Sequence, residues 1–140
     1  LQSSYVVQSA RAVVETFDEI ASDVVAANKL EMEAVKKEMK DSGYSDKVAS
    51  SIVSATKARI EAKEKRLRHE LLYEFLDALS RVFVSSGISI PGEKSTNAIG
   101  VIAGNTVNEY RKRLVFNPSE LLFLESLLAS LCLRNSKVNS

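Results

Sequence analysis

The sequence predicts an all-α protein: a long antiparallel helical hairpin, completed by two shorter C-terminal helices into a four-helix bundle. Three observations carry that expectation. Two prolines, five glycines and no tryptophan in 140 residues make a composition suited to helices more than to sheets. The stretch from Ser45 to about Ser85 reads as one rod with two halves. Its Lys57 to Arg68 part is too charged to be wholly buried, whereas Leu71, Leu72, Phe75, Leu76, Leu79, Val82 and Phe83 are too apolar to stay in water. Finally, Asn117-Pro118-Ser119-Glu120 carries the residues of a helix start. A chain of this length suffices for one core and can remove roughly two thirds of its extended surface from water. It is therefore read as a single helical domain over 1–140, with a hairpin over 4–85, a loop over 86–95 and a helical pair over 96–134.

The first helix is expected from Ser4 to Lys40. Val6, Ala10, Val13, Phe17, Ile20, Val24 and Ala27 alternate by four and three, the seam of a helix that packs on another helix. After Ala27 the seam continues better through Asn28, Met32, Val35 and Met39, and its surroundings turn polar. Asp41-Ser42-Gly43-Tyr44 ends the helix, with Gly43 suited to a left-handed cap and Ser45 or Asp46 to the next N-cap.

So short a linker sends the second helix back antiparallel. The strong half of the first seam then meets Leu67 to Phe83, and the slipped half meets the charged run, which gives an apolar base and a polar, projecting tip. Pairs at i and i+4, such as Lys57 with Glu61 and Glu64 with Arg68, would each add a few tenths of a kcal/mol.

Gly87, Pro91 and Gly92 break the helical pattern, and Ile88 and Ile90 could lie as an extended strap. Ser95, Thr96 or Asn97 then caps a third helix carrying Ile99, Ile102, Ala103, Val107, Tyr110 and Leu114. Its Gly100 and Gly104, four apart, cost about 1 kcal/mol each relative to Ala and suggest close backbone packing. In the fourth helix Asn117 is read as the cap, Pro118 as the first helical residue and Glu120 as the capping-box partner. Leu121, Leu122, Phe123, Leu124, Leu127, Leu128, Leu131, Cys132 and Leu133 cover nearly its whole circumference. A face that apolar calls for another chain, and Leu122, Phe123, Leu127 and Leu131 are the expected partner interface. The tail over 135–140 is expected to fray.

Nineteen Lys and Arg against eighteen Asp and Glu leave a formal charge of +1, so attraction to a polyanion would need local segregation. Lys57, Arg59, Lys63, Lys65, Arg66 and Arg68, against Glu61 and Glu64, provide one such segment, and a helical basic face can follow the phosphates of an RNA duplex. No aromatic residues are interleaved there for stacking on bases. Glu15, Asp18, Glu19 and Asp23 form an acidic counterpart on the first helix. Arg111, Lys112 and Arg113 fall at a helix C-terminus, where cations are favourable in any case.

Chemistry is poorly provided for. His69 is the one histidine, and no Glu-x-x-His motif accompanies the carboxylates, so neither a bundle-type metal centre nor a histidine-based mechanism is expected. Gly87 to Thr96 nearly spells a phosphate loop, but Glu93 displaces Lys94 from its place beside Gly92 and puts a negative charge where the anion would sit. No cofactor, metal or small-molecule substrate is expected. The lone Cys132, set among leucines, reads as a buried thiol. No run is long and apolar enough to cross a bilayer, so the expectation is a soluble, intracellular chain. Its start at Leu1 rather than Met reads as a fragment or processed form. The functional expectation is a non-enzymatic interaction or scaffold protein that self-associates or joins a larger assembly. The alternative is a helical binder of duplex RNA through residues 57–68.

Overall fold

A computed structural model describes residues 2–88 and 94–139, with side chains over 4–85 and 100–133. Four helices, with no strand among the described residues, make an all-α fold. They are α1 (Gln2–Asp41), α2 (Asp46–Ile88), α3 (Lys94–Arg113) and α4 (Glu120–Asn139), with a 3-10 turn at Leu114–Phe116 between α3 and α4. At 1.5 Å per residue α1 and α2 are each about 60 to 65 Å long. Ile88 ends α2 rather than joining an extended strap, and Ser95, Thr96 and Asn97 fall inside α3 rather than capping it, because the helix already begins at Lys94; Ile90 and the centre of the phosphate-loop likeness lie outside the described residues. The expected loop over 86–95 is shorter, because α2 continues to Ile88 and α3 already begins at Lys94. The tail expected to fray is helical as far as Asn139.

The chain divides into two compact units, 1–16 with 69–140 and 17–68. The first draws on all four helices. Its core holds Val6 and Ala10 of α1, Leu71, Leu72 and Leu76 of α2, Ala103, Val107 and Tyr110 of α3, Leu114 of the turn, and Phe123, Leu124, Leu127 and Leu131 of α4. Large side chains such as Leu76, Leu114, Leu124 and Leu127 are fully enclosed, each worth roughly 1.5 to 3 kcal/mol relative to exposure. α3 and α4 pack closely on each other. The Tyr110 and Phe123 rings meet edge to face, with centroids 5.7 Å apart. Arg111 of α3 pairs with Asp77 of α2 and lies over the Tyr73 ring. Thr106, also buried, donates its hydroxyl to the Ile102 carbonyl at 2.9 Å.

Several local expectations are corrected. Asn117 does not cap α4: it adopts a left-handed conformation (φ 50°) and its N–H donates to the Leu114 carbonyl, closing the 3-10 turn. Asparagine tolerates that region better than most residues, which frees the chain to turn before Pro118. The Ser119 carbonyl accepts the first helical bond of α4, from Phe123 N–H at 2.8 Å, so Glu120 opens the helix and is too early to complete a capping box. Gly43 is not left-handed either. α1 ends instead through Ser42, whose N–H donates to the Glu38 carbonyl and whose hydroxyl donates to the Met39 carbonyl. Ser45 caps α2 as expected, its Oγ accepting from Val48 N–H at 3.4 Å. Gly104 has open space where a Cβ would project, so close backbone approach does not explain it. Ile20 and Val82, both expected inside, are more than half exposed. A straight helix drifts about 20° per heptad against a strict seven-residue pattern. By the second heptad of α1 that drift has put Ala21, not Ile20, in the seam.

Candidate functional site

The unit over 17–68 is a two-stranded antiparallel pair formed by the middle of α1 and the first half of α2. Polar contacts join the two helices along its length. Arg68 Nη1 donates to Asp18 Oδ1 at 2.7 Å and its guanidinium lies 5.6 Å from the Phe17 ring centroid. Asn28 Nδ2 donates to Glu64 Oε1 at 3.1 Å, and Arg59 pairs with Glu31. Asn28 is only 2% exposed, a polar residue held inside the seam by that one carboxylate. Apart from Asn28, the buried residues of this unit are Phe17, Ala21 and Ile60. Two helices cannot enclose more, because each offers its partner one narrow stripe.

On one flank of this pair lies an open groove of about 830 Å³. Ala21, Val25, Ala26 and Leu67 supply its apolar lining, and Ser22 adds a hydroxyl. Small side chains at 21, 22 and 26 keep the α1 wall low, while the i, i+4 and i+7 spacing of Glu61, Lys65 and Arg68 raises a charged rim along α2. Asp18 and Lys29 stand on the α1 rim. Charges of both signs are interleaved along the rim: Arg68 donates to Asp18, Glu64 and Lys65 are consecutive residues, and Glu61 to Arg68 span only about 10 Å of α2. The groove is thus apolar along its floor, with carboxylates and cations mixed along its edge.

The six basic residues expected to face a duplex do not share a face. At about 100° per residue, Arg59, Lys63 and Arg66 fall on one flank of α2, and Lys57, Lys65 and Arg68 fall roughly opposite. Arg59 and Arg68 are in addition paired with carboxylates of α1. Of the acidic residues on α1, Asp18 is accordingly a partner of Arg68 rather than a free docking charge. The expected interface on α4 also changes. Phe123, Leu127 and Leu131 are buried in the chain's own core, and Leu122 alone of the four is exposed. α3, which packs closely on α4, supplies cover for which the sequence seemed to require another chain.

Sequence reasoning passed over the groove because its signal is faint. Ala21, Ser22, Val25 and Ala26 look like ordinary surface of a helix whose seam was placed at Ile20 and Val24. The clue available was the small-residue pair Ala21 and Ala26 beside Val25, off the seam through Val24.

Elsewhere the structure gathers few reactive groups. His69 is half-buried and meets the Tyr73 ring edge-on, with centroids 4.9 Å apart. Among the described residues no cluster of His, Cys, Asp and Glu is arranged to hold a metal ion. Cys132 is half-buried rather than enclosed, at the edge of a crevice of about 260 Å³ that Tyr5, Val13, Phe75 and Leu128 also line. The most elaborate polar arrangement is at Tyr110, whose hydroxyl lies 2.8 Å from Ser126 Oγ and 2.7 Å from Ser130 Oγ and donates to the Ser126 carbonyl at 3.1 Å. Arg113 covers the ring at 4.4 Å from its centroid. Burial pushes the phenol up, but the serine hydrogen bonds and the Arg113 charge outweigh it and hold Tyr110 below the ordinary tyrosine range. No described helix is long and apolar enough to cross a membrane. No family model matches the chain, and no curated protein or solved structure matches it either.

Proposed function

We propose that this chain is a non-enzymatic helical interaction subunit, with the bundle unit as its stable body and the groove of the two-helix unit as its contact surface. The observation that carries this reading is the contrast between the units. In one, four helices contribute to a filled core; in the other, two helices leave Val25, Leu67 and their neighbours on an open apolar floor. Val25, on that floor, is 46% exposed. An apolar floor rimmed by polar residues marks a contact surface more often than idle surface. A helix docked along it would bury Val25 and Leu67 by the i, i+3, i+4 pattern that helices use in grooves.

The test is binding of a hydrophobic dye at low protein concentration by the wild-type chain and by Val25→Asp. Dye should bind the wild type and lose most of its signal with Val25→Asp, while the helical circular dichroism stays unchanged. A folded wild-type chain that takes up no dye would refute the groove as a contact surface. Contact with duplex RNA has less support, since its six basic residues divide between two flanks. Titration of a labelled duplex separates the readings: binding that weakens steeply with salt and with Lys63→Gln and Arg66→Gln would favour the RNA reading.

A further inference from the structure

We infer that the turn between α3 and α4 docks on an anionic membrane surface, with Val115 and Phe116 entering the interface and Lys112 and Arg113 meeting the lipid phosphates. This surface belongs to the four-helix unit and is independent of the groove. Val115 is 72% and Phe116 82% exposed, the two highest values for large apolar side chains among the described residues, and the two are consecutive. Leu114 just before them is fully buried, and the Asn117 N–H closes the turn on the Leu114 carbonyl. A fixed turn therefore holds the apolar pair out in water, and little order remains to be lost on docking. Lys112 precedes Phe116 by four residues and Arg113 by three, about one helical turn back from the apex. Asp77 takes Arg111, whereas no carboxylate among the described residues pairs with Lys112 or Arg113. Glu109 and Glu120, the acids nearest in sequence, have other interactions. At Tyr110 burial raises the phenol and Ser126, Ser130 and Arg113 lower it, so the one full charge acting there is the Arg113 cation. An apolar apex backed by unpaired cations matches a bilayer interface, which sets phosphates outside an apolar layer. Nucleic acid offers the phosphates without a layer for Phe116. Two cations and two apolar side chains give weak, reversible attachment that depends on anionic lipid.

The chain has no tryptophan of its own, so Phe116→Trp in the full chain reports on the apex alone. Its emission should shift to the blue with phosphatidylserine vesicles at low salt, stay unchanged with phosphatidylcholine vesicles, and revert as salt is raised. In vesicle co-sedimentation Lys112→Gln should weaken binding about fivefold, the worth of one cation near such a surface. Phe116→Ser should weaken it about tenfold or more. Lys47→Gln, at an exposed lysine of the two-helix unit, should leave it unchanged. All three side chains are exposed, so folding should survive, and circular dichroism verifies it. No binding to phosphatidylserine vesicles at low salt overturns the inference, as does binding that Lys112→Gln and Phe116→Ser leave unchanged. A tryptophan shift with polyglutamate but not with vesicles overturns it in favour of an acidic protein partner.

Discussion

Replacing Asn28 by Ala tests whether one buried hydrogen bond sets the register of the two-helix unit. Asn28 is 2% exposed, and its Nδ2 donates at 3.1 Å to Glu64 Oε1 across the helix pair. A hydrogen bond to an ionised acceptor contributes about 1.5 to 3 kcal/mol, and its loss leaves a half-buried carboxylate without that donor. The expected destabilisation is therefore about 2 kcal/mol, or a fall in melting temperature of about 8 °C for a chain this size. Lost packing also contributes to any truncation, so a double-mutant cycle with Glu64→Ala, read by urea unfolding, is the deciding assay. A coupling energy of about 1 to 2 kcal/mol between positions 28 and 64 supports the argument. A coupling below about 0.5 kcal/mol would refute it and reduce Asn28 to a space-filling residue. Asn28→Leu should be milder, because an apolar side chain of similar size suits the seam. It would also remove the polar group that penalises sliding of one helix along the other, as polar residues do at seam positions of coiled coils.

Gly104→Ala should stabilise the chain by up to about 1 kcal/mol, because a Cβ there meets nothing and α3 would lose an unfavourable residue; lower thermal stability would show a constraint the open space does not reveal. Leu76→Ala, at a fully buried position, should cost about 2 to 5 kcal/mol in urea unfolding, whereas Leu122→Ala, on the exposed side of α4, should stay within about 0.5 kcal/mol. Tyr110 ionises more easily folded than unfolded, where tyrosine titrates near pH 10. Its contribution to stability is therefore fully present above about pH 10 and is lost as pH falls through the lower folded value. Phenolate absorbance should show one tyrosine titrating early, and Tyr110→Phe should remove that step; an unchanged titration onset would contradict the arrangement of Ser126, Ser130 and Arg113 around it.

The fold class was legible because it depends on features that survive without coordinates. The seam through Val6, Ala10 and Phe17, the apolar run from Leu71 to Leu76 and the breaks near 43, 90 and 117 place the four helices within a few residues. Which residues face inward was less legible. Phase drift exchanges Ile20 for Ala21, and an exchange of that kind exposes a large side chain while hiding a small one. Helix four was misread for a different reason. Periodicity shows how much of a helix is apolar, but the cover over Phe123, Leu127 and Leu131 comes from other helices of the chain, α3 among them, whose placement depends on tertiary packing. The basic run was less legible for a third reason. Counting cations over residues 57–68 treats a helix as a line, whereas its cross-section separates Lys63 and Arg66 from Lys65 and Arg68 and lets Arg59 and Arg68 find carboxylates far away in sequence.

The unequal burial of the two units leads to a prediction about motion. Helices stay closed in water mainly through the apolar faces they bury, since isolated helical propensity is weak. The unit over 17–68 buries Phe17, Ala21, Asn28 and Ile60, and one of those is polar. The other unit encloses Leu76, Leu114, Leu124 and Leu127 among many more. Opening free energies should follow this difference along single continuous helices: amides of α2 near 71–76 should exchange with solvent slowly, and those near 50–58 faster by two or more orders of magnitude. That ratio corresponds to about 3 kcal/mol of local stability at 1.4 kcal/mol per tenfold. Hydrogen exchange read by mass spectrometry measures it directly. Uniform protection along α2 would mean that the two-helix unit is already closed by itself, and that its exposed valines and leucines need no partner.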